Sequence, residues 1–322
     1  MQRLADIYYA FHFVHGFNTD PFTGMQPEML LQVSRFLLNT LGNGEAPLAV
    51  SRSHTLFTLA KQAKVLGGYK LARFAYDRLQ QQRLPGNWQD QVDLDMLTIQ
   101  AKPVRDAPEL LPVCYRCGAT NPLINPYTSD ACTTCGHKFI RSFISFEVLP
   151  LVEFGLEEGV DDEEALTLIR THAGGGKGKG SRGDKWREEK DGEANVMTLG
   201  SDDEEEEGED GDLFNACIND ALEKQEDEQA RGPISGGNDA RYIIATASRR
   251  CLAKMTRSEA FYIPGIGSRR GRFYKNMMPE ISVAVSQPCG KFFHEEDFEF
   301  SWLKEGHCGY CRETEAGDYS SI

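Results

Sequence analysis

Cys114-x2-Cys117 and Cys132-x2-Cys135 stand fourteen residues apart. At that spacing two tight knuckles can bring four sulfurs to one tetrahedral ion, and the pattern predicts a zinc ribbon. Gly118 and Gly136 follow the second cysteine of each pair and supply the backbone freedom such turns use. The spacer, with Asn121, Pro122, Asn125 and Pro126, is too short and too polar for a core of its own. Metal binding must therefore supply most of the folding free energy of this segment. Four cysteines close the coordination shell, so the zinc is expected to be structural; a catalytic ion needs an open position. A redox pair would need a thiolate at a helix N-terminus beside a βαβ framework, which neither cluster has. His137, directly after the second knuckle, is expected to be an exposed turn residue.

A second cluster lies in SQPCGKFFHEEDFEFSWLKEGHCGYCRE. Cys308 and Cys311 form a complete knuckle, whereas Cys289 has Ser286 where its partner would stand. Three cysteines and a histidine would hold a second zinc through Cys289, His294, Cys308 and Cys311, with His307 as the alternative fourth ligand. The plain alternative is a degenerate site without metal that packs through Phe292, Phe293, Phe298, Phe300 and Trp302. Cys217 and Cys251 have no neighbours at ligand spacing and read as free thiols.

Around these clusters the chain reads as mainly α, in five segments. Residues 1–110 carry helical periodicity at Leu30, Leu31, Val33, Phe36, Leu37, Leu38 and Leu41, with Pro27 just before the run. A hairpin follows, breaking at Gly67 and Gly68. Ala72 and Ala75 between Tyr69 and Tyr76 allow a close helix approach, as in tetratricopeptide-like units at the end of an α-solenoid. Such hairpins stack on neighbours, which implies further repeats before Met1. A last helix starts at Pro85 and stops before Pro103. His12, His15 and His54 read as ordinary helix or turn residues. Residues 111–146 are the ribbon. Residues 147–170 read as a short helical pair, with Asp161 as N-cap and Glu164 completing a capping box. Residues 171–238, Gly-rich and then acidic, read as a disordered linker. Residues 239–322 read as a small C-terminal α+β module, zinc-binding or RING-like and degenerate.

The formal charge of −14 falls to about −5 without the nine acidic groups of residues 201–212. What remains has no basic stripe for a phosphate backbone, and around the ribbon only Arg116, Lys138 and Arg141 are basic. Nucleic acid is therefore not an expected partner. No stretch approaches the roughly 18 apolar residues of a membrane span, and the N-terminus lacks the order of a secretory signal. The expectation is a chain of a reducing compartment, not a transmembrane protein.

The blocks DPFTG (20–24), SRFLLNTL (34–41), LFTLAKQAKVLGGYKLARFAYDRL (56–79), LTIQAKP (97–103), CYRCGATNPLINP (114–126), CTTCGHKFI (132–140) and LVEFGLEEGV (151–160) resemble, in order and spacing, the C-terminal end of the intraflagellar transport protein 122 family, subunits of intraflagellar transport complex A. The resemblance implies a scaffold in the trains that move cargo within cilia. Such a scaffold serves retrograde transport, cilium assembly and ciliary entry of membrane proteins. Its implied partners are other complex A subunits and ciliary cargo adaptors, and its implied location is the cilium or flagellum, including axoneme and basal body, and the cytoplasm. Family members carry β-propellers that this chain lacks. Their terminal module usually has a full pair at the first knuckle, from which Ser286 departs.

No nucleophile–base pair, phosphate loop or carboxylate constellation stands out, so the leading expectation is a non-enzymatic scaffold. Two other classes compete. One is a RING-like ubiquitin ligase component built on the terminal cluster, and the other is a zinc-ribbon nucleic-acid-binding protein.

Overall fold

The computed structural model describes residues 2–20, 24–42, 44–124, 130–171, 213–230, 242–265 and 270–314. Five helices open the chain: α1 (Gln2–Thr19), α2 (Pro27–Leu41), α3 (Arg52–Leu66), α4 (Tyr69–Gln80) and α5 (Gly86–Gln100). Pro27 occupies the first turn of α2, where its missing N–H costs nothing and its fixed φ suits the helix. Ser51 caps α3 by accepting the His54 N–H. α3 ends at Gly67, whose φ of 83° gives the left-handed turn into α4. Ala60 and Ala63 meet Ala72 and Ala75 in a fully buried seam, so the two backbones approach closely, and Leu56, Leu59, Leu71 and Leu79 flank it. Inside this apolar cluster the Tyr76 hydroxyl donates to Asp95 (2.8 Å), which also pairs with Lys64, so the buried polar groups are satisfied.

The second half departs from expectation in two places. Residues 147–170 are not a helical pair. Leu151–Leu156 is a strand, β1, and only α6 (Asp162–Thr171) is helical. Asp161 does cap α6, accepting the Glu164 N–H at 2.7 Å, but the Glu164 carboxylate pairs with Arg249 (2.6 Å). Nor is the whole of 171–238 a linker. Leu213–Ala230 forms α7, with Phe214, Ile218 and Ala221 buried; 172–212 and 231–241 lie outside the described residues.

The remaining elements are β2 (Ala245–Ala247), α8 (Arg249–Lys254), β3 (Ala260–Ile263), β4 (Arg272–Asn276), β5 (Val283–Ser286), β6 (Lys291–His294) and α9 (Glu295–Glu305). One four-stranded sheet runs β2-β1-β4-β3, with β1 parallel to β2 and antiparallel to β4. Strand alternation sorts its side chains. Val152, Phe154 and Phe273 face α6, α7 and α8, whereas Leu151, Phe261 and Tyr274 face the β5-β6 hairpin with Val285 and Phe292. A third cluster joins the ends of the chain, packing Ile7, Ala10 and Val14 of α1 with Phe143, Phe146, Phe293, Phe298 and Cys308. No helix among the described residues is long and apolar enough to cross a membrane.

Candidate metal centres

Five short turns share one backbone design. In each, the carbonyl of residue i accepts the N–H of residue i+4: Cys114–Gly118 (2.8 Å), Cys132–Gly136 (3.0 Å), Ser142–Phe146 (3.1 Å), Ser286–Gly290 (2.7 Å) and Cys308–Arg312 (2.8 Å). The i+4 residue always has positive φ, from 59° at Phe146 and Arg312 to 73° at Gly136. Residues i and i+5 then pair, as in Cys114 with Ala119, Cys132 with His137, Ser286 with Lys291 and Cys308 with Glu313. The turn points the side chains at i and i+3 the same way, which is what two ligands of one ion require.

The first two turns bring Cys114, Cys117, Cys132 and Cys135 together, with all four sulfurs within 4.8 Å of one another. Cys114 to Cys135 and Cys117 to Cys132 are both 3.7 Å. A tetrahedron with zinc–sulfur bonds of ~2.3 Å has edges of about 3.8 Å, so the thiols fit a zinc ion. Hydrogen bonds from Cys114 and Cys135 hold the Cys132 sulfur well below the ordinary thiol range, while Cys114 is pushed up by its bonds to Cys132 and Cys135 and by burial. The Thr134 N–H also points at the Cys132 sulfur (3.4 Å). Such a set would release protons to a divalent cation and hold it as a tetrathiolate.

The ribbon is buttressed on three sides. Asn121 ties its knuckles together, accepting from the Thr133 N–H (2.8 Å) and donating to the Ala119 carbonyl (2.9 Å). From α2, Arg35 donates to the Leu123 carbonyl (2.6 Å) and Asn39 to Asp130 (3.2 Å). From α7, Gln225 donates to the Cys135 carbonyl (3.0 Å). Arg116 lies over the Tyr242 ring at 4.7 Å and bonds the carbonyl of Ile243, and Arg141 pairs with Asp130. Two of the three basic residues read from the ribbon are thus buried in its own framework. His137 is also buried, against the expectation of exposure. Its ring lies 6.0 Å from that of Tyr242, and burial, with Arg116 adding to it, pushes its imidazole down to about 4.

At the second cluster the structure gathers Cys289, Cys308 and Cys311, again within 4.8 Å, but not the predicted His294. That residue ends β6 and opens α9, and its Nε2 faces Glu147 at 3.4 Å. The strand's alternation turns its ring away from the sulfurs, which sequence proximity does not reveal. His307 is also turned aside, its Nδ1 meeting the Cys308 carbonyl at 3.2 Å. Ser286 stands beside the cluster instead, fully buried, with its Oγ 3.9 Å from the Cys311 sulfur. Cys217, on α7 and partly buried, and Cys251, on α8 and buried, pack in the apolar core outside both clusters.

Residues 107–152 match the family model described as the IFT122 zinc ribbon domain. Along 97% of its length the chain is 36% identical to the intraflagellar transport protein 122 homolog of Danio rerio and 37% identical to that of Homo sapiens. The Xenopus tropicalis homolog is 37% identical over 93% of the chain. The chain spans about a quarter of the length of these relatives.

Proposed function

We infer that this chain, a relative of the intraflagellar transport protein 122 homologs over almost its whole length, works as a non-enzymatic scaffold segment of intraflagellar transport complex A. In that role it supports retrograde transport, cilium assembly and ciliary entry of membrane proteins. The observation that carries the reading is the match along 97% of the chain, because it takes in the helices and the terminal module together and not the ribbon alone. α1 to α5 are read as the end of a helical solenoid. Zinc at Cys114, Cys117, Cys132 and Cys135 shapes the ribbon, and a second ion at Cys289, Cys308 and Cys311 shapes the terminal module. Both modules then offer fixed surfaces to other complex A subunits and to ciliary cargo adaptors, at axoneme and basal body and in the cytoplasm.

A tetrathiolate shell offers no open position to a substrate, which favours a structural ion at the first site. A RING-like ligase needs two interleaved ions, and three thiols around one point supply ligands for one. Affinity purification of the tagged full chain from ciliated cells tests the reading. Recovery of complex A subunits, lost with Cys132→Ser, is expected. Their absence, or ubiquitin discharge from a charged conjugating enzyme by the purified chain, would overturn it.

A further inference from the structure

We propose that Ser286 is a metal ligand, completing a three-sulfur, one-oxygen site with Cys289, Cys308 and Cys311 whose ion exchanges faster than that of the first cluster. The inference rests on the reading of the second cluster as a metal site and adds the identity and character of its fourth position.

Backbone geometry carries it first. Ser286 opens a turn of the same form as those opened by Cys114, Cys132 and Cys308, with the same i to i+4 bond and i to i+5 pairing. It therefore stands where the first thiolate of a knuckle stands. The side chain is 1% exposed, and its hydroxyl lies 3.9 Å from the Cys311 sulfur. With zinc–oxygen and zinc–sulfur bonds of about 2.1 and 2.3 Å, an oxygen–sulfur edge is about 3.6 Å, so the hydroxyl needs to close by only a few tenths of an ångström.

A serine in a knuckle is not by itself a ligand, as the turn at Ser142 makes clear. There Ser142 and Ser145 occupy both ligand positions, and no cysteine of either candidate metal cluster belongs to that turn. What distinguishes Ser286 is the three sulfurs around it. Three thiolates select a zinc-like ion. A neutral hydroxyl donates less charge than a fourth thiolate and can give way to water, so this ion is held more loosely.

The test is cobalt(II) loading of the chelated full chain, comparing the wild type with Ser286→Cys and Ser286→Ala. The first equivalent, at the tetrathiolate, serves as the internal standard. In the wild type the second equivalent should give about three-quarters of the sulfur-to-cobalt charge-transfer intensity of the first, matching three sulfurs against four. Ser286→Cys should bring the two to parity and tighten retention against a chelator at least about tenfold, while Ser286→Ala should weaken it by a similar factor. If Ser286→Ala matches the wild type in both spectrum and retention, serine is not a ligand. A second equivalent taken only by Ser286→Cys would show that serine abolishes the site. If neither the wild type nor Ser286→Cys takes a second ion, the reading of this cluster as a metal site falls with the proposal.

Discussion

The Tyr310 hydroxyl donates to Oδ1 of Asp6 across 2.7 Å, and Lys291 reaches the same oxygen at 2.6 Å. The second knuckle of the terminal module is thereby fastened to α1. Lys291 is buried, with its ammonium 4.0 Å from the centroid of the Phe143 ring. Removing a partner from a buried ion pair leaves a charge uncompensated, which costs about 3–5 kcal/mol. Asp6→Ala should therefore destabilise the chain by about that much in urea denaturation, and the double variant Asp6→Ala, Lys291→Met by less. An unchanged midpoint for Asp6→Ala would mean that the contact contributes nothing.

Zinc removal should unfold the ribbon selectively. Structural zinc sites of this kind bind with roughly 10–16 kcal/mol, and that binding energy is folding energy. Exhaustive chelation should raise amide hydrogen exchange across 111–146 far more than in α3 and α4, whose seam of alanines and leucines contains no metal ligand. Equal protection with and without chelator would contradict a structural ion.

Gln225 links α7 to the ribbon through the carbonyl of Cys135. Gln225→Ala leaves that buried bond unmade, at a cost of about 1–3 kcal/mol. Faster zinc release to a chelator and greater exchange in α7 are the expected results. If the release rate matches the wild type, α7 packs on the ribbon without bracing it.

His54 packs edge-on against Trp88, with ring centroids 4.9 Å apart. Burial, then the nearby charge of His15, lowers its imidazole below the ordinary 6.5. The unfolded chain therefore takes up this proton more readily than the folded one. Its contribution to stability is intact above the ordinary value and is lost as pH falls below 6.5. Thermal melts at pH 7.5 and 5 should show a smaller loss for His54→Gln than for the wild type. An identical loss would assign the pH sensitivity to other groups.

The gathering of Cys114, Cys117, Cys132 and Cys135 was legible in the sequence because it follows from residue type and spacing, and the knuckle glycines Gly118 and Gly136 support the same turns. The helices α2 to α5 were legible from periodicity and from Pro27, Gly67 and Pro85. β1 was not, because VLPLVEF is a short, mostly apolar run interrupted by Glu153, and periodicity alone does not separate a strand from a helix segment in so short a run. Its assignment depends on β2 and β4, far along the chain. The apolar face of α7, Phe214, Ile218 and Ala221, has helical spacing, but the acidic tract just before it dominates any averaged composition. His294 lies five residues from Cys289, yet strand direction, which spacing does not report, sends its ring to Glu147. The serine at 286 could be read as a missing cysteine, but its burial beside the Cys311 sulfur could not.

β1 holds the centre of its sheet, with Phe154 paired to Ala245 on one side and Phe273 on the other. During synthesis this strand leaves the ribosome long before either neighbour exists, so its edges stay open for several seconds at ~5–20 residues per second. Over that interval its apolar side chains and free amides are a target for chaperones or for another nascent chain. A stop codon anywhere before residue 272 would leave the strand without its antiparallel neighbour.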